Sequence, residues 1–124
     1  MDAAFWIEAY AVAGVGKPMP LMLADKGYDV WMGNNRGTEY SRGNTMSLTT
    51  KDEKFWAFTY EEMGKYDVPA NIKAIKEKTG KGKIFYIGYS QGTIQMFYGL
   101  IKLGKDISDS LHKVVQLAPC MISG

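Results

Sequence analysis

One cysteine, Cys120, and one histidine, His112, stand in 124 residues, and each scarcity excludes a kind of chemistry. A lone cysteine forms no internal disulfide and no cysteine-based metal site, and a lone histidine builds no His-rich centre, so no metal is expected. Net charge is also scarce. The 15 Lys and Arg are dispersed among 13 Asp and Glu, leaving +2, so neither a nucleic-acid partner nor an anionic membrane patch is expected. No apolar run approaches the ~20 residues that span a bilayer, which predicts no transmembrane segment. Met1-Asp2-Ala3-Ala4-Phe5-Trp6-Ile7-Glu8 has no basic lead and acids interrupt it, so it does not read as a signal peptide. Repeats, low-complexity tracts and linkers are missing too. What remains is the composition of at most one globular domain, 46% apolar and 13% aromatic, able to bury a core.

Residues 83–103 organise that domain. The apolar run Ile84-Phe85-Tyr86-Ile87 leads into Gly88-Tyr89-Ser90-Gln91-Gly92 and then into the helix-like Thr93-Ile94-Gln95-Met96-Phe97-Tyr98. A bare G-x-S-x-G is weak evidence, because an ordinary turn serine between two glycines would match it. Its setting is more specific: a strand delivers the serine, the turn is tight enough to demand glycine on both sides, and a helix starts at once. These are the parts of a nucleophile elbow. Ser90 is the candidate nucleophile, the backbone N–H of Gln91 one of two candidate oxyanion donors, and Gly88 and Gly92 shape the turn. Four consecutive apolar residues predict a parallel strand covered on both faces, and the helix, apolar nearly all round, is expected to be buried.

Along the rest of the chain, residues 1–17 read as a loop with one turn of helix. Residues 18–27 read as a short helix with a proline in its first turn and Gly27 just past its end. Tyr28-Asp29-Val30-Trp31-Met32 reads as a strand that stops at the turn cluster Gly33-Asn34-Asn35-Arg36-Gly37, and residues 38–48 as a polar surface loop. Two capping boxes follow, Thr50 with Glu53 and Thr59 with Glu62. Pro69 either kinks the second helix or restarts it at Asp67. Beyond it Val68, Ile72 and Ile75 form an apolar stripe, Lys73, Lys76 and Lys78 with Glu77 face water, and Gly80 ends the helix. Gly104 is a stop signal, residues 106–113 form a short helix or loop, and Val114-Val115-Gln116-Leu117-Ala118 is a last strand ended by Pro119. Strands alternating with helices predict an α/β fold, a parallel sheet with flanking helices and right-handed crossovers.

The stretch from Leu23 through Asp25-Lys26-Gly27-Tyr28-Asp29-Val30-Trp31-Met32 to Gly33-Asn34-Asn35-Arg36-Gly37 resembles the acid lipase family of α/β-hydrolases, the group of the lysosomal and gastric lipases. Phe55-Trp56-Ala57-Phe58 with Glu62-Met63, Lys65-Tyr66-Asp67-Val68-Pro69-Ala70, Gly88-Tyr89-Ser90-Gln91-Gly92-Thr93 and, more weakly, Leu117-Ala118-Pro119 agree in the same order. Almost the whole chain is covered. The resemblance implies a serine ester hydrolase acting on triacylglycerols or steryl esters in lipid catabolism, with Ser90 as nucleophile, Gln91 as oxyanion donor and no cofactor. It implies a lysosomal or secreted location.

The resemblance also implies that residues 1–124 are a partial α/β-hydrolase domain, lacking the N-terminal strands, one of which ends in His-Gly with the second oxyanion donor, and the C-terminal triad region with its Asp and His. Missing strands or a partner chain would then be needed for a complete fold, and the isolated 124-residue chain is expected to be inactive. Tyr89 departs from the family's histidine beside the nucleophile, which predicts altered packing or substrate preference. His112 precedes the last strand whereas Ser90 follows the earlier one; parallel strands put them about five residues at ~3.3 Å apart, roughly 16 Å. It is expected to be a surface or interface histidine. Asp25, Asp29 and Asp67 fit helix and strand termini rather than the triad acid, and Cys120 reads as a semi-buried thiol without a role. Two rivals remain: a non-catalytic truncated chain or pseudoenzyme that packs against another protein, and another esterase of the same fold.

Overall fold

A computed structural model describes residues 16–120, which fall into two compact units divided between Thr50 and Lys51. The loop expected over residues 1–17 lies almost entirely outside the described residues. In the first unit, helix α1 (Met19–Asp25) carries Pro20 in its first turn, as the sequence predicts. The strand expected at residues 28–32 does not form: the segment is irregular, with Tyr28, Trp31 and Met32 exposed. β-rich composition measures how well side chains suit a pleated, half-buried surface. It supplies no partner for the backbone N–H and C=O groups, and among the described residues no strand pairs with this segment. Residues 38–48 form the expected loop, tied by Asn44, whose Oδ1 accepts the N–H groups of Met46 (3.1 Å) and Leu48 (2.9 Å).

The second unit opens with a 3₁₀ turn (Glu53–Trp56) whose N-cap is Asp52 rather than the expected Thr50. The turn starts too late: Glu53 is its first residue, whereas a capping box needs the acid at the third. The Thr59 box does form. Thr59 N–H donates to Glu62 Oε2 (2.8 Å) and Glu61 N–H to Thr59 Oγ1 (3.1 Å), opening helix α2 (Tyr60–Glu62). This continues through a π-helical turn (Met63–Asp67) into α3 (Val68–Thr79). Pro69 explains the widened turn, because its ring has no N–H and collides with the carbonyl four residues back in α-helical geometry. The helix neither stops nor restarts. It ends at Gly80, left-handed at φ 68°, whose N–H bonds Lys76 O.

Strand β1 (Ile84–Tyr89), helix α4 (Gln91–Leu103), short helix α5 (Lys105–Ser108) and strand β2 (Leu111–Leu117) complete the unit. The strands pair in parallel, Tyr86 beside Val114, Gly88 beside Gln116 and Tyr89 beside Leu117, with a register shift after Ile84. Val68, Ile72, Met96, Ile107 and Leu111 form the core, and Ile84, Tyr86, Leu100, Leu103 and Val114 pack on it. Each large side chain so buried stabilises by roughly 1.5–3 kcal/mol.

Three expectations are corrected here. The β1 strand is covered on one face only: Phe85 (60%), Ile87 and Tyr89 are exposed, as is Val115 of β2. Helix α4 is amphipathic rather than buried all round; Thr93, Met96 and Gly99 point inward while Ile101 is 79% exposed. Lys76 does not simply face water, for its Nζ donates to Ser110 Oγ (2.8 Å), joining α3 to the entry of β2. The helices cross at two glycines. A Cβ on Gly64 would sit 2.4 Å from Gln95 O, and one on Gly99 would sit 2.7 Å from Gly64 O and 2.9 Å from Ile107 Cδ1. The π-helical turn and α4 therefore meet backbone against backbone, which holds the helix behind Ser90 close to the rest of the unit.

Candidate active site

Ser90 lies between the last residue of β1 and the first of α4 with φ 49° and ψ −115°. Non-glycine residues seldom adopt this conformation, and it persists only where the surroundings hold it. Here both ends of the residue are held. Ser90 N–H donates to Leu117 O of β2 (3.0 Å), and Ser90 O accepts from Thr93 N–H (2.9 Å) and from Thr93 Oγ1 (2.6 Å). Ser90 is half-buried. Gln91, as the first residue of α4, has a backbone N–H with no acceptor inside the helix, in the first turn where a helix favours negative charge.

The two glycines of the turn are not equivalent. A Cβ on Gly88 would lie 2.5 Å from Gln116 Oε1 and 2.8 Å from Gly92 O, so no side chain fits. At Gly92 it would meet only Tyr86 Oη, at 3.7 Å, an ordinary contact. The expectation that both glycines are required for space is thus corrected for Gly92.

A set of buried polar groups lies beneath the turn. Tyr86 Oη donates to Gly92 O (2.8 Å) and accepts from Gln95 Nε2 (3.3 Å). Burial pushes the Tyr86 phenol above its ordinary pKa, with the Gln95 hydrogen bond opposing, so it stays a protonated donor at neutral pH. From β2, Gln116 Nε2 donates to Thr93 O (3.4 Å), while Gln116 Oε1 is buried with no hydrogen-bond partner among the described residues.

Past β2, Ala118 takes φ 47° and the chain turns so that Cys120 N–H donates to Thr93 Oγ1 (2.9 Å). This sets Cys120 Sγ 3.9 Å from Ser90 Oγ. His112 lies elsewhere. It is the second residue of β2, inside the strand rather than before it, and its ring stacks on Phe85 at 5.4 Å, near the Ile84 end of the pairing rather than the Tyr89 end that leads to Ser90. The structure therefore does not bring it to the serine. Asp25 closes α1 in an ion pair with Lys17, and the backbone carbonyl of Asp67 in the π-helical turn accepts from Asn71 Nδ2 (2.9 Å).

A strand delivering a strained serine to the start of a helix, on a parallel sheet, agrees with what sequence comparison finds: the model of the alpha/beta hydrolase fold family matches residues 14–122. The chain belongs to the α/β-hydrolase family. Within that family it is similar to lipase member N of Homo sapiens (51% identical over 92 residues, 74% of this chain and 22% of the relative). It is also similar to lysosomal acid lipase/cholesteryl ester hydrolase of Macaca fascicularis (39% over 118 residues, 95% and 28%) and to lipase member M of Mus musculus (40% over 118 residues, 95% and 26%). The resemblance to acid lipases holds. The chain spans about a quarter of the length of these relatives. Among the described residues of this α/β-hydrolase chain, no helix is long and apolar enough to cross a membrane.

The motif pointed to the turn but not to what surrounds it. Gln116 and the closeness of Cys120 to Thr93 and Ser90 carry no local signal, since those partners lie 23 to 30 residues apart in sequence. One clue was available. In a parallel pair, residues following both strands emerge at the same end, which places Cys120 on the side of Ser90.

Proposed function

We propose that this chain carries the nucleophile of a serine ester hydrolase of the acid-lipase type, acting on triacylglycerols or steryl esters. The observation that carries it is Ser90, held at φ 49° by bonds from both β2 and Thr93 at the head of α4. In this reading Ser90 Oγ attacks the ester carbonyl carbon, the alcohol leaves, and water later releases the acid from the acyl-serine. The Gln91 N–H stabilises the oxyanion that forms in each step, with Gly88 giving the turn its room and Gly92 opening the helix. No cofactor enters the chemistry. Residues 1–124 form one part of the catalytic domain, completed by further strands or a partner chain. The relatives' names support a lipid ester as substrate and, of the lysosomal or secreted locations that the resemblance implies, the lysosomal one.

The uncovered apolar face of the sheet favours a second reading, a non-catalytic chain that packs against another protein. A fluorophosphonate probe separates the two when applied to the protein expressed from its natural coding sequence. The hydrolase reading expects labelling at Ser90, abolished in Ser90→Ala. Labelling that persists in that variant assigns the nucleophile elsewhere, and an unlabelled wild type leaves the non-catalytic reading.

A further inference from the structure

Thr93 is wholly buried, and its hydroxyl makes two hydrogen bonds unrelated to packing. Oγ1 donates to Ser90 O at 2.6 Å and accepts the N–H of Cys120 at 2.9 Å. The first of these bears on catalysis through elementary peptide geometry. Ser90 O and the Gln91 N–H are the two ends of one planar trans peptide unit, so they point in opposite directions and cannot turn independently. Whatever anchors the carbonyl aims the N–H. We propose that Thr93 is the positioning residue for the oxyanion donor: its hydroxyl pins the Ser90–Gln91 peptide so that the Gln91 N–H faces the substrate oxygen. This rests on the hydrolase reading of Ser90 and extends it to a residue three positions further on.

Helical geometry supplies one anchor without Thr93's side chain, the Thr93 N–H to Ser90 O bond at 2.9 Å. Ser90, however, is at φ 49° and ψ −115°, outside the helical region, so a helical bond alone does not fix the plane. The hydroxyl adds the second point that a plane needs to resist rotation. Its own direction is set by Cys120, because accepting that N–H leaves the hydroxyl proton free to lie along the line to Ser90 O. The loop after β2 thereby holds Thr93, Thr93 holds the Ser90 carbonyl, and the carbonyl directs the Gln91 N–H. Removing the hydroxyl frees the peptide to rock and also orphans the Cys120 N–H. Loss of one oxyanion donor costs about two to three orders of magnitude in kcat, and a donor present but misaimed loses a part of that, about ten-fold or more.

The test uses the protein expressed from its natural coding sequence, with hydrolysis of p-nitrophenyl butyrate and inhibition by a trifluoromethyl ketone that mimics the tetrahedral intermediate. Thr93→Val is expected to lower kcat about ten-fold or more with KM within about two-fold, and to weaken the ketone by a matching factor, the signature of an interaction made only in the transition state. Thr93→Ser keeps the hydroxyl and is expected to restore kcat to within about two-fold of wild type. An unchanged kcat in Thr93→Val, a fall in KM-limited binding alone, or a Thr93→Ser variant as impaired as Thr93→Val overturns the proposal. Should Thr93→Val fail to fold, the serine variant decides: retained kcat and ketone affinity support the hydroxyl's role, and their loss refutes it. A wild type that fluorophosphonate does not label at Ser90 overturns the hydrolase reading and this inference with it, whereas a labelled wild type with an unaffected Thr93→Val overturns this inference alone.

Discussion

At the scale of single residues, the turn around Ser90 separates what a motif names from what space requires. The pattern treats Gly88 and Gly92 alike, yet a methyl on Gly88 would run into Gln116 Oε1 and the backbone of Gly92, while one on Gly92 meets only Tyr86 Oη at 3.7 Å. Gly88→Ala is therefore expected to destabilise the unit by about 1–3 kcal/mol, as overpacking does. Gly92→Ala is expected to be neutral within about 0.5 kcal/mol or slightly stabilising, since it adds a good helix former to the first turn of α4. Denaturant melts of both variants check the contrast, and equal destabilisation would show that the turn is crowded on both sides. Ser90, Gln91 and the glycines were legible because their chemistry is local, five consecutive residues between a strand and a helix. Thr93 was not, because the Cys120 N–H that its hydroxyl accepts lies 27 residues on and arrives only once β2 lies beside β1.

Among the elements, periodicity and punctuation located the helices well. Residues 18–27, the Thr59 cap, the stripe of Val68 and Ile72 and the stop at Gly80 were read from side-chain spacing and turn residues, which act within a few positions. The strand at residues 28–32 was misread because a strand is completed by another strand. The crossing of the π-helical turn with α4 was invisible too, as glycines at 64 and 99 carry no signal of facing each other. Gly99→Ala tests that crossing. Although alanine is the better helix former by about 0.8–1 kcal/mol, its methyl would meet Gly64 O at 2.7 Å and Ile107 Cδ1 at 2.9 Å, so a net loss of about 1–3 kcal/mol is expected in a denaturant melt. A variant as stable as the parent would mean that the two backbones can part without cost.

For the whole molecule, two expectations concern the purified 124-residue chain. Its only imidazole, His112, is stacked on Phe85 near the far end of the sheet from Ser90, so that imidazole does not reach the nucleophile. The chain is expected to show no Ser90-dependent turnover of a p-nitrophenyl ester; turnover lost in Ser90→Ala would refute this. The second concerns the sheet, which among the described residues has two strands and an exposed face presenting Phe85, Ile87, Tyr89 and Val115. Apolar strands with unpaired edges recruit other copies of themselves, so size-exclusion chromatography is expected to show species larger than a monomer, reduced by Phe85→Lys. A monomer with one cooperative unfolding transition would be the contrary result.

The amino-acid sequence by itself determined the α/β class, the helices of residues 19–25, 60–79 and 91–103, the two paired strands, the serine at the head of a helix and the kinship with lipases. These follow from the order and periodicity of residues, which chemistry within a few positions already expresses. The tertiary structure decided that residues 28–32 form no strand, which face of β1 is covered, that Gly88 and not Gly92 must lack a side chain, and that Thr93 and Cys120 meet at the nucleophile. Each of these depends on which groups from distant parts of the chain are brought together, and only packing fixes that geometry.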